Sequence, residues 1–531
     1  MNTNKLVTTE QSNLATENLD LMSPEEIVSA INTEDHNVAP AVELCLPAIS
    51  QGADIIAEKL KKGGRLFIFG AGTSGRLGVL NATEITEKYN LKKGQINGII
   101  AGGDRALRFS VENSEDNREK ATADLMAFNP KPNENDVVLG ISAGGGAAYI
   151  LQVLEDARKL GIHTIGYSSN KNAKLKPLSD TFINPVVGPE VLTGSSRMKS
   201  GSAQEMTLIT LLESAMAKIA NPKNKTQEIF KEIIGDLKTA APAVKKSIPE
   251  ITKAVNLITE HFNNGGRLFY FGQGTLGRLG VLDASECWPT FGVEHGTVNG
   301  RLEGGDSALR QSFNHTKAHS IAAVKIDFKK TETVRDAKGN PELSIKPPAS
   351  KDIIVILGDH PYALAALEEA KGKGIKTIVF TTHKNPILES QADVLINPIV
   401  HDIATPVATK FVLNTLTTAS MVLTGKVLGN KMVDVAVMNE KLLDRAIRII
   451  VDFTGKSYEE AQTLLSKAQK IAKDPKRHVV PVAIVMGKTG CTAKEASALL
   501  KASKGLVREA LKKHTAQKTT KRNLMRALPI K

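Results

Sequence analysis

Cysteine, tryptophan and long apolar runs are what this chain is short of. Its three cysteines, Cys45, Cys287 and Cys491, lie far apart in 531 residues. An odd number at that spacing excludes a disulfide framework and a thiolate metal site, and it fits a reducing cytosol. Aromatic residues make up 4% of the chain, with a single tryptophan. The interior must then be built from Leu, Ile, Val and Ala. Basic residues interleaved with aromatics, which a base-stacking surface needs, are missing as well. No apolar stretch approaches the ~20 residues that span a bilayer. The opening MNTNKLVTTEQSNLATENLD is polar and lacks the apolar centre of a signal peptide. The expectation is a cytoplasmic protein whose partners include neither membrane nor nucleic acid. A formal charge of +13 does not alter it, because much of the excess sits in the terminal KKHTAQKTTKRNLMRALPIK, which reads as a solvated tail.

What the chain does have is a repeat. Residues 63–84 (GGRLFIFGAGTSGRLGVLNATE) and 265–286 (GGRLFYFGQGTLGRLGVLDASE) agree at 17 of 22 positions, at a constant offset of 202. The offset persists from IAGGDRALRFS (100–110) to LEGGDSALRQS (302–312), and DVVLGIS (136–142) pairs with DIIVILG (352–358). Each copy alternates apolar, β-rich runs such as RLFIF and DVVLGI with amphipathic helical stretches. Fully apolar runs imply strands buried on both faces, and the alternation implies parallel crossover units under covering helices. After about residue 430 the strand patterns stop and short amphipathic helices follow, broken by Gly and Pro. The expected organisation is an N-terminal segment (1–45), a first α/β domain (46–245), a second (246–430) and an all-helical C-terminal domain with a basic tail (431–531). The polar insertion KKTETVRDAKGNPELSIKPPASK (329–351) reads as a surface loop.

Chemistry is expected in three loops of the first copy. In FGAGTSGRLG (69–78) a strand turns into a helix, so backbone amides and the helix dipole converge on an anion. Gly72, Thr73, Ser74, Gly75 and Arg76 are the candidates there, with Thr73 and Ser74 adding hydroxyls. The same glycines match a dinucleotide fingerprint, but the second strand ends IIAGGD, with Asp104 beyond a Gly-rich loop, instead of on a ribose-binding acid. A second anion cradle is expected over Thr193–Gly201, from Ser195, Ser196 and Lys199 together with the amides opening the next helix. The third lies at Ser142 and Gly144, where backbone can approach a ligand closely. Three such loops fit the crevice at the carboxyl edge of one sheet. In the second copy Ser74 becomes Leu276, Ser142 becomes Gly358, and GSSRMKSG gives way to HDIATPVAT (401–409). That copy reads as a degenerate partner half.

GAGTSGRLGVL, IAGGD, ENSEDN, EVLTGSSRMKSGSAQ, TTEQSNLATENLD and the second copy's DASECWPTFG resemble the N-acetylmuramic acid 6-phosphate etherase family. The two-copy layout with VVPVAIVMGKTGCTAKEASALLKAS is similar to glucokinase regulatory protein. The resemblance implies two tandem sugar isomerase (SIS) domains, a sugar 6-phosphate ligand, and no metal or organic cofactor. It implies a lyase that eliminates D-lactate to leave N-acetylglucosamine 6-phosphate, by elimination followed by hydration. The alternative it implies is a regulator without activity that senses fructose phosphates and acts on a protein partner such as a sugar kinase.

The etherase family's two acidic residues fall on Glu84 and Glu115 in the first copy and on Glu286 and Lys317 in the second. Glu84 lies ten residues beyond Ser74, roughly 15 Å along one helix, so a pseudo-twofold pairing of the copies favours Glu286 as the group that crosses over. The expected composite site draws Ser74, Ser142, Ser195, Ser196 and Glu115 from the first copy and Glu286 from the second. The regulatory protein's sugar-phosphate lysine falls on Lys410, a further candidate to cross. Glu84 is then left facing the degenerate half. The family's Arg and Thr in the third loop are replaced by Gly146 and Ala147, which bears on the lactyl end of the site. Either a monomer with an internal pseudo-twofold or a homo-oligomer satisfies this scheme.

Overall fold

The computed structural model describes residues 7–111, 113–221, 226–313, 315–335, 341–435, 437 and 440–527. Glu112 of the ENSEDN run and the ends of the N-terminal segment and basic tail therefore lie outside the described residues.

The apolar runs of the first copy form five parallel strands, β1 (Leu66–Gly70), β2 (Ile96–Ile100), β3 (Val137–Ile141), β4 (His163–Tyr167) and β5 (Thr181–Ile183), in the order β2-β1-β3-β4-β5. Every residue of β1 and β3 is buried, as helices over both faces require. The second copy repeats this with β6 (Leu268–Gly272) and β7 (Val298–Leu302). After an intervening hairpin, β8 (Glu332–Arg335) with β9 (Pro341–Ile345), come β10 (Ile353–Leu357), β11 (Lys376–Phe380) and β12 (Val394–Ile396). Its order, β7-β6-β10-β11-β12, is that of the first sheet.

The hairpin corrects the surface-loop expectation for 329–351. Val334, Leu343 and Ile345 alternate with polar residues and pack on the apolar core of the second sheet, which rewards a paired strand over an irregular loop. The stretch read as a solvated tail, 512–531, is helical as far as Ala527, as the continuation of the helix Val507–Ala527.

By compactness the chain forms two units. One holds both sheets, over Ser23–Glu286 and His295–Ala419 with the N-terminal residues to Ala15. The other joins Thr16–Met22, Cys287–Glu294 and Ser420–Lys531. Its helices are Glu440–Thr454, Tyr458–Ile471, Val479–Thr489, Ala493–Ala502 and Val507–Ala527, of which the second and fourth start on capping boxes at Ser457 and Thr492. Among the described residues no helix is long and apolar enough to cross a membrane.

Within the first unit the copies meet through reciprocal contacts. Arg108 Nη1 donates to the Gly300 carbonyl at 2.9 Å and its Nε pairs with Asp306; Arg310 Nη1 donates to the Gly98 carbonyl at 2.9 Å and its Nε pairs with Asp104 at 2.7 Å. These are the same contacts 202 residues apart, as a twofold pairing demands. Val79, Ile100, Leu107, Val281, Leu302 and Leu309 fill the space between them.

Candidate active site

The first crevice starts where β1 ends. A Cβ on Gly70 would lie 2.4 Å from the Ser74 and Gly75 backbone, so only glycine lets the helix Thr73–Lys88 press against the strand. Gly72, at φ +54°, turns the chain into that helix, whose N-terminus carries no side-chain cap. Its first amides are thus aimed at the carboxyl edge with no group of the chain bonded by its side chain at the cap. Ser74 and Arg76 are buried beside it.

Glu286 arrives from the other copy. It lies near the end of the helix Gly274–Phe291, 3% exposed, with Oε1 accepting from the Thr73 hydroxyl and lying 3.8 Å from Arg76 Nη1. Its Oε2 is buried without a hydrogen-bond partner among the described residues. Glu84 makes the mirror contact, pairing with Arg278, the second copy's counterpart of Arg76.

The loop Thr193–Gly201 forms the adjoining wall. Ser195 Oγ is buried with no hydrogen-bond partner among the described residues. Lys410, from the helix Thr405–Leu423 of the second copy, passes over Gly201 and donates to the Arg197 carbonyl at 2.6 Å. Burial draws its ammonium below the usual lysine range, while Glu286, Asp283 and Glu205 pull it back up.

One expectation for this loop changes. The amides of Lys199 and Ser200, which open the helix Lys199–Ala220, are both taken at 2.9 Å by the carboxylate of Glu190. An acid of the chain itself sits where an anion was expected, and the dipole stabilises it there. The Lys199 ammonium is turned to Glu34. The hydroxyls and Lys410, and not the helix amides, are what this wall offers.

Ser142 and Gly144 follow the end of β3, the strand paired with β1. Gly145 N–H closes the turn on the Ser142 carbonyl at 2.9 Å, and the Gly144 carbonyl accepts from Asn170 Nδ2 at 3.2 Å. The half-buried Glu115 sits on a short 3₁₀ turn, Ser114–Asp116, packed against the helix Ala148–Lys159 that this loop opens.

Several contributors were not picked out in the sequence. Arg197 bonds Asp283 at 3.0 Å and Thr418 at 2.6 Å, with Thr417 beside them, and so ties the serine loop to the second copy. Its place inside GSSRMK was the available signal. Asn170 holds the third loop and meets Thr8 at 3.5 Å, while a Cβ on Gly144 would lie 3.9 Å from Thr9 Oγ1, so the N-terminal segment lies against this wall.

The second crevice is filled. A Cβ on Gly358 would lie 3.0 Å from Leu276 Cδ1 and 3.1 Å from His360 Cδ2. His360 stands where the first copy has Gly144. Its Nδ1 accepts from Ala363 N–H at 3.3 Å, and its Nε2 lies 3.0 Å from the Leu357 carbonyl. The ring thereby lies 3.2 Å from the Gln273 amide, in the loop equivalent to the first cradle. Burial holds its pKa down at about 4, so it is neutral at pH 7.

Known proteins fall in line with this layout. Models of the glucokinase regulatory protein match in three places: its N-terminal SIS domain over 48–158, its second SIS domain over 245–334 and its C-terminal lid domain over 429–473. The N-acetylmuramic acid 6-phosphate etherase of Actinobacillus pleuropneumoniae serotype 5b is 47% identical over 211 residues, 40% of this chain and 69% of that protein. The enzyme of the same name from Aliivibrio fischeri strain MJ11 is 43% identical over 229 residues, 43% of this chain and 73% of that protein. Among solved structures, the C-terminal domain of glucosamine-fructose-6-phosphate aminotransferase from Francisella tularensis aligns at a TM-score of 0.47 and 16% identity, covering 73% of this chain and 96% of that one.

Proposed function

Since the chain belongs to the family that N-acetylmuramic acid 6-phosphate etherases form with glucokinase regulatory protein, we propose that it is itself an etherase, a carbon–oxygen lyase acting on N-acetylmuramic acid 6-phosphate. The observation that carries this is Glu286, buried against Thr73 and Arg76 with one carboxylate oxygen unpartnered among the described residues, at the mouth of a phosphate-type cradle in the other copy.

In this reading the 6-phosphate lies on the amides of Gly72–Ser74, which have no partner within the helix, with Gly75 and Arg76 behind them and the hydroxyls of Ser74, Ser142, Ser195 and Ser196 and Lys410 around it. Glu115 and Glu286 are the acid–base pair. One carboxylate takes the proton beside the sugar carbonyl, and the electron pair left behind expels the lactyl oxygen, which the other carboxyl protonates. Water then adds across the new double bond, giving N-acetylglucosamine 6-phosphate and D-lactate. Two carboxyls in unlike surroundings suit the two roles.

The match to the regulatory protein's lid domain supports a second reading, a sugar-phosphate sensor without turnover. Incubating the purified chain with N-acetylmuramic acid 6-phosphate and assaying D-lactate separates them. Lactate that disappears in Glu115→Gln supports the lyase. No lactate, with fructose phosphates raising the melting temperature, overturns it in favour of the sensor.

A further inference from the structure

The two copies carry opposite charges at one equivalent position. SAQEMTLITLLESAM (202–216) and VATKFVLNTLTTASM (407–421) align at an offset of 205, which sets Glu205 opposite Lys410. Glu205 is 1% exposed. Its Oε2 accepts from Asn81 Nδ2 at 2.8 Å, and its Oε1 is buried with no hydrogen-bond partner among the described residues. A carboxyl so placed has room for a proton on Oε1 and a fixed partner on Oε2.

The charges facing it are few. Burial carries its pKa up to about 7, opposed by the Asn81 hydrogen bond and by Lys410 and reinforced by Glu84. Along the same helix Lys199 is paired with Glu34 near the start, and Glu213 with Lys88 and Lys218 with Asp54 toward the end. Lys410 is shared more widely, since its ammonium rests on the Arg197 carbonyl and feels Glu286, Asp283 and the buried Asp35 as well as Glu205, with the Arg197 guanidinium opposing them.

A dianion that engages Lys410 neutralises the positive charge favouring ionised Glu205. We propose that Glu205 takes up a proton from solvent when a sugar phosphate binds beside Lys410, tying affinity to pH through a carboxyl that does not itself touch the ligand. This rests on the reading of Lys410 as a phosphate-binding residue. Glu205 is thus a positioning residue, acting through the charge of Lys410.

The test is calorimetric titration of N-acetylglucosamine 6-phosphate into the full chain, in buffers of different ionisation enthalpy. At pH 7 the wild type is expected to take up roughly half a proton per ligand. Its affinity should fall by up to about tenfold between pH 6.5 and 8.5 for each unit by which the ligand raises this carboxyl. Glu205→Gln should take up no proton and show a flat profile over that range. Asn81→Ala, which removes a bond favouring the ionised form, should move the fall to higher pH. Uptake that survives in Glu205→Gln, or that vanishes only in Glu286→Gln, overturns the proposal, as does an unmoved profile in Asn81→Ala. Absence of binding at every pH overturns the sugar-phosphate reading itself, and the proposal with it.

Discussion

The two crevices are built on near-identical frames and differ in what fills them. At the end of β1 the helix opens Thr73-Ser74, with a glycine-rich third loop beside it. At the end of β6 it opens Gly274-Thr275-Leu276, and Leu276 and His360 close on Gly358. The first crevice receives Glu286 and Lys410 from its neighbour, a carboxylate and an ammonium. By the same symmetry the second receives Glu84, already spent on Arg278, while Glu205 stands at the position equivalent to Lys410. The difference teaches that duplication need not double a site. In the proposed reading one copy keeps the ligand, and the other is freed to supply side chains across the pseudo-twofold.

If that division is right, the two mirror acids must behave differently. Glu286→Gln should lower lactate release by about 10²–10⁴-fold, the range of a positioned acid or base. Glu84→Gln should change it by no more than a few fold. The reverse ranking, read from initial rates, breaks the asymmetry.

The tie between the copies is expected to matter for stability. Asp283 and Arg197 are 2% and 3% exposed, and removing one partner leaves the other charge buried without this counter-charge. Asp283→Ala should cost about 3–5 kcal/mol, read as a lower denaturant midpoint for the sheet-bearing unit. An unchanged midpoint would show that the serine loop holds its place without this pair.

His360 gives the closed crevice a pH signature. Its folded pKa of about 4 lies below the ordinary value of 6.5, so the folded state resists protonation. The stability it contributes is present above pH 6.5 and lost as pH falls toward 4, by roughly 3 kcal/mol in full. His360→Asn should flatten this part of the melting profile between pH 6.5 and 4. A slope as steep as the wild type's would mean that His360 is not the group responsible.

Much of this frame was legible before any coordinates. Buried parallel strands announce themselves as apolar runs, and an offset of 202, constant over residues 63–110, carries residue equivalences from one copy to the other there. The expectation that Glu286 crosses toward the first copy came from helix length and twofold symmetry, both of which are properties of a chain pattern, while its contacts with Thr73 and Arg76 come from the structure alone. What stayed hidden depends on folding distant segments together. Glu190 caps a helix nine residues away through an irregular loop, and Arg197 finds Asp283 across 86 residues. Neither leaves a periodic trace. His360 was invisible for another reason: replacing a loop glycine by histidine reads as loss of a site, and only the ring's bonds to Ala363 and Leu357 reveal a plug. The hairpin over β8 and β9 is too short for its alternation to outweigh its polar composition.

The most direct measurement is equilibrium titration of N-acetylglucosamine 6-phosphate into the wild type and two exchanged variants, Ser74→Leu and Leu276→Ser. One site per chain is expected in the wild type. It should be lost or weakened by about 10–100-fold in Ser74→Leu, where a hydrogen bond to a charged group is removed. It should stay a single site in Leu276→Ser, because His360 still fills the second crevice. Two sites in the wild type, or full affinity in Ser74→Leu, would contradict the division of labour between the copies.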